Sequence, residues 1–186
     1  MPSRPRRSRA PRPSVEVLRV GHRPQRDPRL TTHLALVARA FGAVRLHLNP
    51  PDPEISDRLR SVARRWGGAF EVVGAANWRT VCRTFPGPVA HLTMYGVPIA
   101  DVETELRSAD RLLLVVGGAK VPPELFGAAT HNVAVGHQPH SEVAALAVVL
   151  DRVVGAPDET TFAHARQRIR PSRRGKVVVT EPGGVA

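Results

Sequence analysis

Lysine is nearly missing from this chain of 186 residues: Lys120 and Lys176 stand against 25 arginines, a bias that a GC-rich genome also produces. Cysteine is reduced to Cys82, which excludes an internal disulfide and suits a reducing compartment. With Trp78 and Val81 nearby at apolar spacing, Cys82 reads as a buried thiol rather than a nucleophile. Aromatic residues make up only 4% of the chain, and Trp66 and Trp78 read as packing residues rather than base-stacking platforms. No apolar run approaches the roughly 18 residues needed to span a bilayer, so no membrane partner is expected. The Arg/Pro/Ser-rich start has no apolar stretch behind it, unlike a secretory signal, and the cytoplasm is the expected location.

Charge is abundant and unevenly spread. The formal net charge is +11, with five arginines and no acid in residues 1–14. Residues 163–176 carry Arg166, Arg168, Arg170, Arg173, Arg174 and Lys176, again without an acid. The rest of the chain is neutral in formal charge, with 16 basic and 16 acidic residues. Two basic ends on a neutral body point to polyanion contact, in which phosphate neutralisation supplies salt-dependent affinity blind to sequence.

Residues 1–14, with four prolines and no apolar period, read as a disordered arm. Residues 15–155 read as one domain and 156–186 as a basic extension. Within the domain, strands are expected at 15–20, 44–48, 69–73, 88–93, 111–118 and 131–136. Helices alternate with them: 31–41 capped by Thr31 or Thr32, then 57–66 stopped by Gly67-Gly68, 77–83 and 99–107. A short helix opened by Pro122-Pro123 runs to Ala129, followed by a helix over 142–154 capped by Ser141. The unbroken apolar run RLLLVV fits a central strand covered on both faces. This alternation implies an α/β fold with a mostly parallel sheet and helices on both faces. A further strand is possible at 176–180.

In open α/β sheets, ligands sit outside the carboxyl ends of the strands. Two glycine-bearing turns fall at such ends, Gly117-Gly118-Ala119-Lys120-Val121 and Gly136-His137-Gln138-Pro139-His140-Ser141-Glu142, with HLTMYG (91–96) as a third. Neither matches a dinucleotide fingerprint or a P-loop. Gly117-Gly118 alone suits a tight turn as well as a ligand loop, but three such turns in one half favour a shared pocket. His137 and His140, three apart, lack the companions of a metal site, and no metal is expected. His22, His33 and His91 read as structural histidines. The loop GHRPQRDPRLTTH (21–33) gathers Arg23, Arg26, Arg29, His22 and His33, a set able to hold phosphates and orient a ribose.

Taken together, residues 21–43, HLTMYG (91–96), VGGAKVP (116–122) and NVAVGHQPHSEVAALAVVLDR (132–152) resemble the archaeal tRNA (cytidine-56) 2′-O-methyltransferases of the SPOUT superfamily. The resemblance runs from about residue 15 to 155, with a weaker match at Ile169-Arg170-Pro171. It implies a deep C-terminal trefoil knot, a homodimer, and S-adenosylmethionine as the methyl donor. The target it implies is the ribose of cytidine 56 in the tRNA T-loop. By position, the cofactor contacts fall on Leu92, on Gly117, Gly118, Ala119, Lys120 and Val121, and on Val135, Gly136, His137, Gln138, Pro139, His140, Ser141 and Glu142. Two residues depart from the pattern: Ala119 stands where the family carries an acid, and His137 where it carries asparagine. Leu36 occupies the helical position at which related ribose methylases carry a catalytic arginine. The role is therefore expected to pass to Arg23 or Arg29. Alternative readings are a ribose methylase with another RNA target and a nonenzymatic tRNA-binding protein.

Overall fold

In the computed structural model, the described residues are 12–26, 28–118, 120–155 and 162–181. The elements follow one another as β1 (Ser14–Val20), α1 (Pro28–Ala40), β2 (Arg45–Asn49), α2 (Pro53–Trp66), β3 (Glu71–Gly74), α3 (Trp78–Thr84) and β4 (Val89–Pro98). Then come α4 (Ile99–Ser108), β5 (Arg111–Val116), α5 (Glu124–Ala128), β6 (His131–Ala134), α6 (Glu142–Val153), β7 (Gln167–Arg170) and β8 (Val177–Thr180). The first six strands form one sheet in the order β3-β2-β1-β5-β4-β6, and all of its pairings are parallel.

Alternation along the strands divides the core in two. Val15 and Val17 of β1, with Leu112, Leu114 and Val116 of β5, face α1, α2, α4 and α6. Leu18 and Val20, with Leu113 and Val115, face α3 and α5. Both faces of β5 are thus covered, as its apolar run predicts. The thiol of Cys82 is buried in the second layer, where burial pushes its pKa up to about 11 and keeps it a neutral packing group. No helix among the described residues is long and apolar enough to cross a membrane.

Several expectations shift in detail. The arm predicted over 1–14 lies outside the described residues as far as residue 11, and Ser14 already belongs to β1, donating its N–H to Asp110 O at 2.9 Å. Helix α1 begins at Pro28, so Thr31 and Thr32 are inside it rather than capping it. Proline suits a first helical turn, where its missing N–H has no intrahelical partner to lose. Helix α2 starts four residues earlier than expected because Asp52 caps it, accepting from the N–H groups of Glu54 and Ile55. The extension contains an antiparallel hairpin, β7–β8, which the sequence reading only half anticipated. Its approach segment seats on α2: Gly68 N–H donates to Ala163 O, and Arg166 N–H to Arg65 O.

Two buried ionisable groups, Glu16 and His91, contribute to the acid side of stability. Burial alone would raise the Glu16 carboxyl. Hydrogen bonds from His47 and Arg111, with the charges of His47 and Arg45, outweigh it and hold it below the usual range. His91, 1% exposed, is pushed down by burial, and its Nδ1–H donates to Asn132 Oδ1 at 2.9 Å. Folded protein therefore refuses a proton that the unfolded chain accepts below about pH 6.5. Stability is expected to fall as pH drops through that region, and again as Glu16 is protonated at lower pH. Urea midpoints at about pH 7.5 and pH 5.5 should differ less for His91→Gln than for the parent; equal differences would remove His91 from the account.

Candidate active site

The strand order reverses at β1 and β5: the chain builds outward from β1 through β2 and β3, then returns to place β5 on its other side. This is the switch point at which an α/β sheet opens a crevice. Register aligns Arg19 with Val116, Val116 with Leu92, and Leu92 with Val133, a single row at the carboxyl edge of four strands. From that row leave the arginine loop after β1, the Gly117 turn after β5 and the Val135 loop after β6. The Thr93–Gly96 stretch continues β4 beyond it. All of the expected donor-site residues with described positions therefore lie along one edge. Ala119 lies outside the described residues.

Arg19 is the residue that sequence reading missed. It is fully buried, lies on the α1/α6 face of β1, and its Nη1 donates to Gly117 O at 2.7 Å. Its Nη2 lies 3.4 Å from Glu142 Oε1, so one guanidinium joins the turn after β5 to the start of α6. A planar fork of donors suits this double attachment better than an ammonium. A second tie comes from His137, whose Nε2–H donates to Gly96 O at 3.1 Å and holds the β6 loop against the end of β4.

Glycine is required at two of these places. A Cβ on Gly117 would lie 1.9 Å from Val121 Cγ1, so the turn closes on its own valine. A Cβ on Gly96 would stand 2.4 Å from the backbone of Asn132 and Val133, where β4 crosses β6 too closely for any side chain. Gly136 has open space beside it, and residues 136–140 make no backbone–backbone hydrogen bond with another described residue. Ser141 caps α6 as expected, its Oγ accepting from Val143 N–H.

The arginine loop is built differently. His22 is buried, with Nδ1 2.8 Å from Thr31 Oγ1 and Nε2 2.9 Å from Asp52 Oδ2. The His22 hydrogen bond is the main cause that holds the Asp52 carboxyl below its usual range; burial opposes it, and the two helix-cap N–H groups add to it. His22 thus clamps α1 to α2 and is withdrawn from the ribose-orienting set. Arg23, Arg26, Arg29 and His33 remain exposed. Arg29 stands in the first turn of α1, three residues after Arg26. Trp78 is buried with Arg79 stacked 4.5 Å from its ring, a packing role as expected.

A family model described as tRNA ribose 2′-O-methyltransferase, aTrm56, matches residues 66–179, more than half of the chain. The chain belongs to this family. The matched stretch runs through β7 and into β8, so the hairpin is part of the family pattern rather than an addition to it. A tRNA (cytidine(56)-2′-O)-methyltransferase of Archaeoglobus fulgidus is 48% identical over 167 residues, covering 90% of this chain and 99% of that protein. Its counterpart in Methanothrix thermoacetophila is 50% identical over 169 residues, covering 89% and 97%. Among solved structures, a SpoU methyltransferase of Streptomyces viridochromogenes, determined in complex with the cofactor AdoMet, superposes with a TM-score of 0.53 at 16% identity. That superposition covers 83% of this chain and 62% of that one, a likeness of fold.

Proposed function

We propose that this protein transfers a methyl group from S-adenosylmethionine to the ribose 2′-hydroxyl of cytidine 56 in the tRNA T-loop. The observation that carries the reading is the convergence of three loops on one sheet edge, cross-tied by Arg19 and His137, in a chain of the aTrm56 family. The pocket chemistry fits such a donor: peptide groups at 136–140 that make no backbone–backbone bond with another described residue suit the edges of a nucleoside, and the open space beside Gly136 lets it approach the backbone. Leu92, Gly117–Val121 and Val135–Glu142 are the residues assigned to hold it. His137 supplies a side-chain hydrogen bond at the position where the family pattern carries asparagine.

When bound, S-adenosylmethionine brings a methyl group already activated as a sulfonium. What remains for the protein is alignment and removal of the hydroxyl proton. Arg23 and Arg29, exposed at the same edge, are assigned to grip an RNA phosphate beside the reacting ribose. Their charge would favour the alkoxide as the 2′-hydroxyl proton passes to water, and the O–C bond to the methyl group would form as its bond to the sulfonium sulfur breaks, leaving S-adenosylhomocysteine. A tRNA-modifying role implies the cytoplasm, and the family resemblance adds the C-terminal knot.

The test is incubation of a tRNA transcript with protein and S-adenosylmethionine, followed by mapping of the methylated nucleotide by mass spectrometry. A 2′-O-methyl group at position 56, lost when that nucleotide is 2′-deoxy, is expected. Methylation elsewhere would assign another RNA target. No cofactor binding at millimolar concentration by calorimetry would leave a tRNA-binding protein without this activity.

The homodimer belongs to the same reading. Leu36 on α1 and Val148 on α6 are exposed apolar side chains on two helices that pack together. Leu36→Glu combined with Val148→Glu is expected to convert a dimer into a monomer in sedimentation equilibrium; an unchanged mass would move the interface elsewhere.

A further inference from the structure

Beneath the C-terminal hairpin lies a cavity of about 590 Å³, walled by the ends of α1 and α2 and by the hairpin with its approach segment. Trp66 and Phe162 line it, with Arg39, Arg168, Ile169 and Arg170. Arg39 is only 9% exposed, and its guanidinium stacks 5.1 Å from the centre of the Phe162 ring. Its Nη2 donates to Gly67 O, while its Nε is a buried donor with no hydrogen-bond partner among the described residues. An unspent buried donor is costly, and the side chain that carries it lines the aromatic-walled cavity. Arg168 is paired with Glu181 at 3.3 Å, so Arg39 and Arg170 give the lining a net positive charge. Just beyond, Arg173, Arg174 and Lys176 occupy the exposed turn between β7 and β8.

We propose that this cavity is a second RNA site, holding one unstacked nucleotide of the tRNA away from the methylated ribose. The aromatic walls suit a base, whose π-face stacks without regard to sequence. The exposed arginines of the hairpin suit the phosphates on either side. The cavity lies at the carboxyl end of α1, whereas Arg29 lies at its amino end. The ten or eleven helical steps from Arg29 to Arg39 and Ala40 separate the two by about 16 Å. Two grips at that spacing fix the orientation of an RNA that a single loop would let pivot. Trp66 thereby acquires a role beyond packing.

This inference rests on tRNA being the substrate, and the test separates the two. Arg170→Ala and Trp66→Leu are each expected to raise KM for tRNA about tenfold, with kcat and cofactor affinity within about twofold of the parent. Arg170→Ala should also reduce the slope of log affinity against log salt by about one, Trp66→Leu should not, and Trp66→Phe should restore binding. Arg170 is exposed, so its variant reports even where Trp66→Leu fails to fold. Unchanged KM in folded variants overturns the proposal, as does a loss that tracks dissociation of the dimer, which would give the cavity to a second copy. Fluorescence anisotropy with labelled tRNA supplies the independent arm. Weakened binding by the variants of a protein that methylates nothing would sink the enzymatic reading and keep this site. Methylation indifferent to both variants would do the reverse.

Discussion

Arg29→Ala is expected to lower single-turnover methylation of tRNA on the order of 10²–10³-fold while leaving S-adenosylmethionine affinity unchanged. The argument is positional. By the resemblance, Leu36 stands where related ribose methylases carry an arginine, and the positive charge at the ribose is proposed to come from the carboxyl edge of β1 instead. Arg23 and Arg29 both emerge there and are both exposed. Arg29 is fixed in the first turn of α1, which the His22–Thr31 and His22–Asp52 bonds hold against α2. Arg23 stands one residue after His22 in a loop. A charge carried on an anchored helix loses less to motion than one on a loop, so the larger effect belongs to Arg29. Arg23→Ala is expected to act in the same direction with a smaller loss. Normal single-turnover rates for both variants would remove the arginine loop from the chemistry.

The second large effect belongs to Arg19. Replacing it with methionine removes the charge-assisted bond to Gly117 O and leaves Glu142 without its buried partner. A loss of about 2–4 kcal/mol of stability is expected from these two terms. Because the same guanidinium ties both donor loops, cofactor affinity should fall at least tenfold even at temperatures where the variant is folded. Arg19→Lys keeps the charge but lacks the fork, so it should recover stability more than affinity. Calorimetric titration alongside urea unfolding separates the two. If Arg19→Met binds S-adenosylmethionine as the parent does, the tie is structural only.

Much of the architecture could be read from the chain. The alternating strands, the apolar run of β5, the cap at Ser141 and the stop at Gly67 all act through nearest neighbours, and local pattern reports them. Thr31 misled because a threonine ahead of an apolar helical face resembles a cap. Its hydroxyl is instead spent on His22, a contact set by tertiary packing. Arg19 was invisible for a related reason. An arginine in an alternating strand reads as a solvent-facing residue, and only a sheet covered on both faces turns it inward. The hairpin strand Gln167–Arg170 was hidden by its own charge, since QRIR carries almost no apolar signal. Loop residues at the carboxyl edge were located by the strand ends, whereas their mutual ties through Arg19 and His137 depended on distances that no spacing encodes.

The position of β5 has a consequence for how the chain is made. β5 is the fifth strand to leave the ribosome, yet it is the one that joins β1 to β4. Until residues 111–116 emerge, β1 and β4 each present an unpaired edge, and the two halves of the sheet have nothing between them. Closure then requires pairing across 97 residues of sequence, a slow, long-range step that leaves apolar strands open in the meantime. Nascent chains that stop short of Arg111 hold a three-stranded fragment and a lone strand, and are the species a chaperone would meet.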